Sequence, residues 1–387
     1  MKIRDISVFE VTGAWSGPPF PAGDRQAHPL DIYPDAGRGS GGNSDTVSEI
    51  YLEIGTDDGL SGLFGPIDLD QAHVIRTHLR DLLIGKDPLA TEGLFDQMTR
   101  IHRHGRTGLF MTGVSAVDCA LWDLKAKAHG VPVHRLLGGP TRERVPAYAS
   151  MLGFTIDPEG AAEVALEYKA KGFKAQKWFF RHGPVDGEEG KSRNIAMAKA
   201  VRGAVGDEYK LMFDAFMGWD LPYAYAMARE LVDVKPFWLE EPLPPERVGS
   251  FRELRTVGIP LATGEHVFTR WQIRHLLEPR AIDIVQADPD WTGGISELVK
   301  ICALCSSFDV PVIAHGHSLL AALHVAGSQS PSVVPMVEYL IRHQVNKQFF
   351  HDPIYQPDNG EIALPTLPGL GIVLDDRKID RRKDIWH

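Results

Sequence analysis

The chain has 387 residues, 43% hydrophobic and 24% charged, with a formal net charge of −10. Those figures fit a globular protein of one large domain or two unequal ones. The acidic balance and the lack of a basic cluster argue against a nucleic-acid partner, and no apolar run reaches membrane-spanning length. Three cysteines, Cys119, Cys302 and Cys305, imply no disulfide framework and fit a reducing cytoplasm. The pair Cys302-x-x-Cys305 lies in LVKICALCSS, which reads as a helix with both thiols near its apolar side. Small core residues explain them better than a redox motif.

In chain order, MKIRDISVFEV alternates like a strand, predicted over 3–11, and carries no signal-peptide pattern. A Gly-, Pro- and Asp-rich loop follows from about Ser16 to Asp45. VSEIYLEIGTDDGLSGLFG then reads as a hairpin turning at Asp58-Gly59. Helical patterns follow at 71–83, 90–103 and 113–129, the last stopping at Gly130. This opening third is an α+β unit, placed at 1–125.

After Pro140 the pattern changes. Eight short β-rich runs alternate with amphipathic helices: VPAYAS, FKAQKWF, YKLMFDAF, PFWLEEP, IPLATGEH, AIDIVQAD, VPVIAHG and VPMVEYL. Strands alternating with helices imply parallel βα units, and eight of them imply a closed (β/α)8 TIM barrel, an α/β fold, over 126–355. An open doubly wound sheet is the alternative, but no G-x-G-x-x-G follows the first run.

The ends of the runs carry titratable groups. Lys177 lies near the end of the second. Asp214, Glu240, Glu265, Asp288, His315 and Glu338 end the third to the eighth, spaced by 26, 25, 23, 27 and 23 residues. In a barrel, strand C-termini converge on one rim, where active sites are built. A single carboxylate there is equally well a helix cap, and a single histidine a hydrogen-bonded core residue. Seven such ends in register are not explained that way. Asp214, Glu240 and Glu265 make an all-oxygen set suited to Mg2+, and no His/Cys cluster among them suggests zinc. Asp288 and His315 can form a dyad in which the carboxylate orients the ring and raises its basicity. In KPFWLEEP, strand alternation points Glu240 and Glu241 to opposite faces. Glu240 is therefore the expected ligand, and Glu241 a structural neighbour paired with a lysine from another strand.

The motifs VDCALWDLKAKAHGVPVHRLLGG (117–139), DAFMGWD, WLEEPLPP, ATGEH, DIVQADPDWTGG, IAHGHS and PDNGEIALPTLPGLGIVLD (357–375) resemble, in order, those of the enolase superfamily, mandelate racemase subgroup. The resemblance covers nearly the whole chain. It implies an N-terminal α+β capping domain with substrate lid loops, the barrel, and a segment at 356–387 that returns to the cap. It implies Mg2+ on Asp214, Glu240 and Glu265, the base dyad His315 and Asp288, and Glu338 as an acid near the oxygens of an enediolate. It also implies a homo-oligomer, dimer or octamer.

Racemases of the subgroup carry Lys-x-Lys at the second strand, the second lysine being a base. Here the stretch is Lys177-Trp178-Phe179. Some sugar-acid dehydratases place a histidine two residues after the third-strand Asp, where this chain has Phe216. His315 is left as the one obvious base, which favours β-elimination of water over inversion. KWFFRHGPVDGEEG, Glu265-His266 and FDAFMGWD resemble the L-rhamnonate dehydratase family most. The resemblance implies a small-molecule sugar acid as substrate and a 2-keto-3-deoxy acid as product, with racemases, cycloisomerases and non-catalytic metal-binding relatives as the alternatives.

Lys177 is read as a contact to the substrate carboxylate, or else a rim salt bridge. His266 is a candidate hydroxyl contact. His28, Tyr33 and Arg38 lie in the glycine-rich loop, read either as a lid over the barrel mouth or as an ordinary solvated loop. Trp291-Thr292-Gly293-Gly294 is read as backbone shaping.

Overall fold

The computed structural model describes residues 1–17, 26–33 and 45–386. Near the N-terminus, β1 (Ile3–Ala14), β2 (Thr46–Thr56) and β3 (Ser61–Ile67) form an antiparallel sheet. The C-terminal strand Arg381–Trp386 adds to its edge beside β1. Ile6, Val8, Leu52, Ile54 and Phe64 of this sheet are buried against helices. The principal one is Gly108–Ala128, whose inner side reads Gly113, Val114, Ala116, Val117, Ala120, Leu121 and Leu124. Small residues at helical spacing let it approach β3 closely. Its far side meets the barrel: Ser296 Oγ accepts from Trp122 Nε1 at 2.8 Å and donates to Asp118 at 2.6 Å. The boundary expected after residue 125 falls inside this helix, which both units share.

The second sheet is parallel and runs through β4 (Arg144–Ser150), β5 (Ala175–Phe179), β6 (Lys210–Asp214), β7 (Trp238–Glu240), β8 (Leu261–Thr263) and β9 (Ile284–Val285). On its other side β4 pairs with β10 (Val337–Leu340). The seventh run, VPVIAHG, meets β9 at the bridge Val285↔Val312 and, past it, through His315 N to Gln286 O at 3.2 Å, while Val312 N donates to Val333 O at 2.8 Å. Pro311 has no N–H, so the ladder cannot extend on its N-terminal side of the bridge.

One residue from each of the eight runs meets in a separate buried cluster: Tyr148, Ala175, Met212, Trp238, Ala262, Ile284, Ile313 and Met336. This is the barrel floor. Side chains on a strand alternate with a period of two, so the next inward position of each run is two residues on. Those positions are Ser150, Lys177, Asp214, Glu240, Gly264, Gln286, His315 and Glu338. An apolar ring is thus overlaid by a polar one.

Elsewhere a buried histidine ties three segments together. His324 Nδ1 accepts the His134 amide at 3.1 Å, and its Nε2 donates to Leu370 O at 3.1 Å. A second proton has no room in that arrangement, and burial pushes the His324 pKa down to about 3. The unfolded chain takes up this proton near pH 6.5 and the folded one does not, so stability falls as pH drops below 6.5. Between pH 6.5 and 5 this residue alone is expected to cost about 2 kcal/mol, at 1.36 kcal/mol per unit. Urea denaturation across that range checks it: His324→Asn, which keeps an acceptor for the His134 amide, should flatten the slope by that amount.

Candidate active site

The polar ring brings together residues that lie far apart in sequence. Lys177 is at the centre, 1% exposed. Its ammonium donates to Glu240 and lies 2.9 Å from Glu338 Oε1 and 3.5 Å from Asp214 Oδ2. Burial opposes its charge, but Glu240 and Glu338 outweigh that and hold its pKa well above the ordinary lysine value. Reciprocally, Lys177 and His315 overcome burial to keep Glu338 ionised, at about 2. Gly316 makes room for this carboxylate: a Cβ there would stand 2.9 Å from Glu338 Cγ, and its N–H instead donates to Glu338 Oε2 at 2.9 Å.

On the facing strands, His315 Nδ1 lies 2.9 Å from Asp288 Oδ2. The carboxylate is cradled further by the His317 amide at 3.1 Å and the Asp290 amide at 2.8 Å. His315 Nε2 is 3.6 Å from Glu265 and 4.0 Å from Glu338. Burial disfavours the imidazolium, yet Glu265 and the Asp288 hydrogen bond raise it to about 10.

The two adjacent glutamates do not behave as strand alternation predicts. β7 ends at Glu240, and Glu241 has φ +38°, a conformation unfavourable for a side chain with a Cβ. The alternation rule stops applying there. Glu241 is 1% exposed and turns onto Thr263 Oγ1 at 2.9 Å and His266 Nδ1 at 3.0 Å. The lysine expected beside Glu241 is on Glu240 instead. Among the described residues, the acidic and histidine side chains with donor atoms all within 4.8 Å of one another are Glu241, Glu265 and His266. Asp214 and Glu240 sit around Lys177. His266 is pushed to about 9 by Glu241 and Glu265 against the cost of burial. A protonated imidazole cannot ligate a metal, so in this state it acts as a counter-ion bridging two carboxylates.

The donor set fits a hard divalent cation. Six buried carboxylates, Asp214, Glu240, Glu241, Glu265, Asp288 and Glu338, face one lysine and two histidines. Burial and Glu240 drive Asp214 up, and burial with Glu241 drives Glu265 up to about 7. Such crowding is the usual sign of a site that shares its negative charge with a metal.

The other expectations are met unevenly. His28 uses Nδ1 to accept the Leu30 amide at 3.0 Å, and its ring lies 5.7 Å from that of Phe216 at the barrel mouth. Ala27 N donates to Phe180 O at 2.6 Å, docking this loop segment on the rim. Tyr33 is 61% exposed and takes no part in the chamber. Arg38 lies outside the described residues. Trp291 does more than shape backbone: its ring stacks on His315 and lies tilted against His317, both with centroids at 4.9 Å, and reaches His266 at 5.8 Å. His317 is held between Asp290 Oδ2 at 3.1 Å and Lys347 Nζ at 2.8 Å, and burial with Lys347 lowers its pKa. Asp290 in turn accepts from Gln71 of the cap at 2.8 Å. Only the sequence separation of these groups hid them. Gln286 was overlooked although the period of two, counted from Ile284, places it in the ring.

With this geometry in view, residues 160–378 match the family Enolase C-terminal domain-like, and residues 39–138 match the Mandelate racemase / muconate lactonizing enzyme, N-terminal domain. The chain belongs to the mandelate racemase / muconate lactonizing enzyme family of the enolase superfamily. It is 34% identical to an L-rhamnonate dehydratase of Saccharopolyspora erythraea over 100% of both chains. Among solved structures it resembles the rhamnonate dehydratase of Gibberella zeae complexed with Mg, with a TM-score of 0.84 and 29% identity over 97% of this chain and 95% of that one. It also resembles the 3,6-anhydro-D-galactonate cycloisomerase of Zobellia galactanivorans, with a TM-score of 0.79 and 26% identity over 98% and 100%.

Proposed function

We propose that the protein is a Mg2+-dependent dehydratase of a sugar acid, a hydro-lyase of the L-rhamnonate type. L-rhamnonate or another five- or six-carbon aldonate or diacid sugar is the substrate class. The observation that carries this reading is the asymmetry of the chamber. His315 with Asp288 is a base on one side. On β5 the next inward position above Lys177 is Phe179, a buried phenyl ring that lies 5.3 Å from the Lys177 ammonium. Lys177 itself is held protonated among carboxylates, so it does not supply the second base that an inverting racemase needs.

Asp214, Glu240 and Glu265 would hold the cation, with Glu241 and His266 beside them. When bound, the cation would supply positive charge that offsets these carboxylates. His315 Nε2 then takes the proton on the carbon next to the carboxylate, while Asp288 holds Nδ1–H in place. Lys177 faces the carboxylate oxygens on which charge develops. The imidazolium returns its proton to the β-hydroxyl on the same side, water departs, and the enol becomes a 2-keto-3-deoxy acid. A homo-oligomer, dimer or octamer, located in the cytoplasm, belongs to the same reading.

A sugar-acid library assayed for keto acid tests it. Turnover is expected with Mg2+ and should fall by roughly 100-fold or more with a chelator. Solvent deuterium exchange or epimerisation with no keto acid would overturn the reading in favour of an isomerase.

A further inference from the structure

Of the eight inward positions above the barrel floor, five are charged groups already described, Lys177, Asp214, Glu240, His315 and Glu338, and a sixth is Ser150, whose hydroxyl lies beside Glu338. The seventh is Gly264, which contributes no side chain. The eighth is Gln286. It is 0% exposed, and neither its Oε1 nor its Nε2 has a hydrogen-bond partner in the protein. Its main chain is well anchored: Gln286 N donates to Thr263 O at 3.0 Å, and Gln286 O accepts from His315 N at 3.2 Å. The backbone therefore fixes where the amide starts, between the side-chain-free Gly264 and the base.

A buried primary amide left unpaired is expensive, and proteins pair such groups almost without exception. Where one stays unpaired inside a site, a ligand is the natural partner. An amide is both donor and acceptor, as is an alcohol, whereas a carboxylate only accepts. The surrounding ring already holds Lys177 for a carboxylate.

We propose that Gln286 contacts the substrate directly, through a hydroxyl on the carbon chain beside the carbon that His315 deprotonates. It is a substrate-binding residue that helps choose which polyol acid is accepted. This rests on the sugar-acid reading above. It also has a signature of its own, because the amide is a cost to the protein without ligand and a gain with it.

The test is Gln286→Met, with Gln286→Leu as a second variant of similar size, each measured for thermal stability without substrate and for keto-acid formation with Mg2+. Replacing an unpaired buried amide by an apolar side chain is expected to raise Tm by roughly 2 °C or more. At the same time kcat/KM should fall by roughly 10-fold or more, with a rise in KM, as the substrate hydroxyl loses its partner. A purely structural glutamine gives the opposite sign in stability. If both variants lower Tm, or if kcat/KM stays within about 2-fold of wild type, the proposal is overturned. Should the wild type turn over no sugar acid, the functional reading fails, and the Tm measurement alone then decides on the unpaired amide.

Discussion

His315→Asn is expected to reduce keto-acid formation by about 1,000-fold or more while leaving the fold intact. Asparagine can keep a hydrogen bond to Asp288, which now lies 2.9 Å from His315 Nδ1, so the Asp288 carboxylate stays paired. What it removes is Nε2, the atom nearest Glu265 and Glu338. Positioned general bases contribute roughly 100- to 10,000-fold. Here one imidazole both takes the proton and returns it to the leaving hydroxyl, so the upper part of that range applies. Single-turnover assays with Mg2+ in D2O check both halves: exchange at the α carbon should vanish together with dehydration. A variant that retains turnover within about 10-fold of wild type would mean that another group removes the proton.

Lys177→Met acts on stability as much as on turnover. The lysine is the ammonium shared by Asp214, Glu240 and Glu338, all buried. Removing one partner of a buried ion pair typically costs about 3–5 kcal/mol, because the other charge is left without compensation. Three carboxylates are left here. The same excess of negative charge should make the variant depend more on a divalent cation, since a ligand bound only by the folded state stabilises it by mass action. Denaturant midpoints with and without Mg2+ measure both effects. A loss below about 1 kcal/mol with no steeper response to Mg2+ would show that the carboxylates share protons instead.

The barrel was legible because its signal repeats. Eight apolar runs at a steady pitch have few alternatives, and the ends of seven of them carried titratable groups at one-unit spacing. The seventh run shows a limit: its composition is that of a strand, but Pro311 withholds an N–H and the ladder cannot extend on the N-terminal side of the bridge at Val312. The dyad was legible for the same reason as the barrel, since strand order places the Asp288 and His315 runs side by side. Glu241 was misjudged because the alternation rule assumes extended backbone, and at φ +38° the chain has already left the strand. The surroundings of His317 were out of reach, because Gln71, Asp290 and Lys347 come from three segments with no common pattern. Gln286 was within reach of the period-two count, which had been applied only to charged groups, whereas Trp291 lies off that count in a turn.

The floor of the barrel, with Trp238 and Tyr148 packed edge to face at 5.7 Å, makes the chamber a dead end. Nothing enters or leaves through the bottom. In the proposed reaction, reactant and product would then both pass on the side where Ala27 and His28 dock against Phe180 and Phe216. Traffic on that side is therefore sequential, and a product still inside keeps the next molecule out.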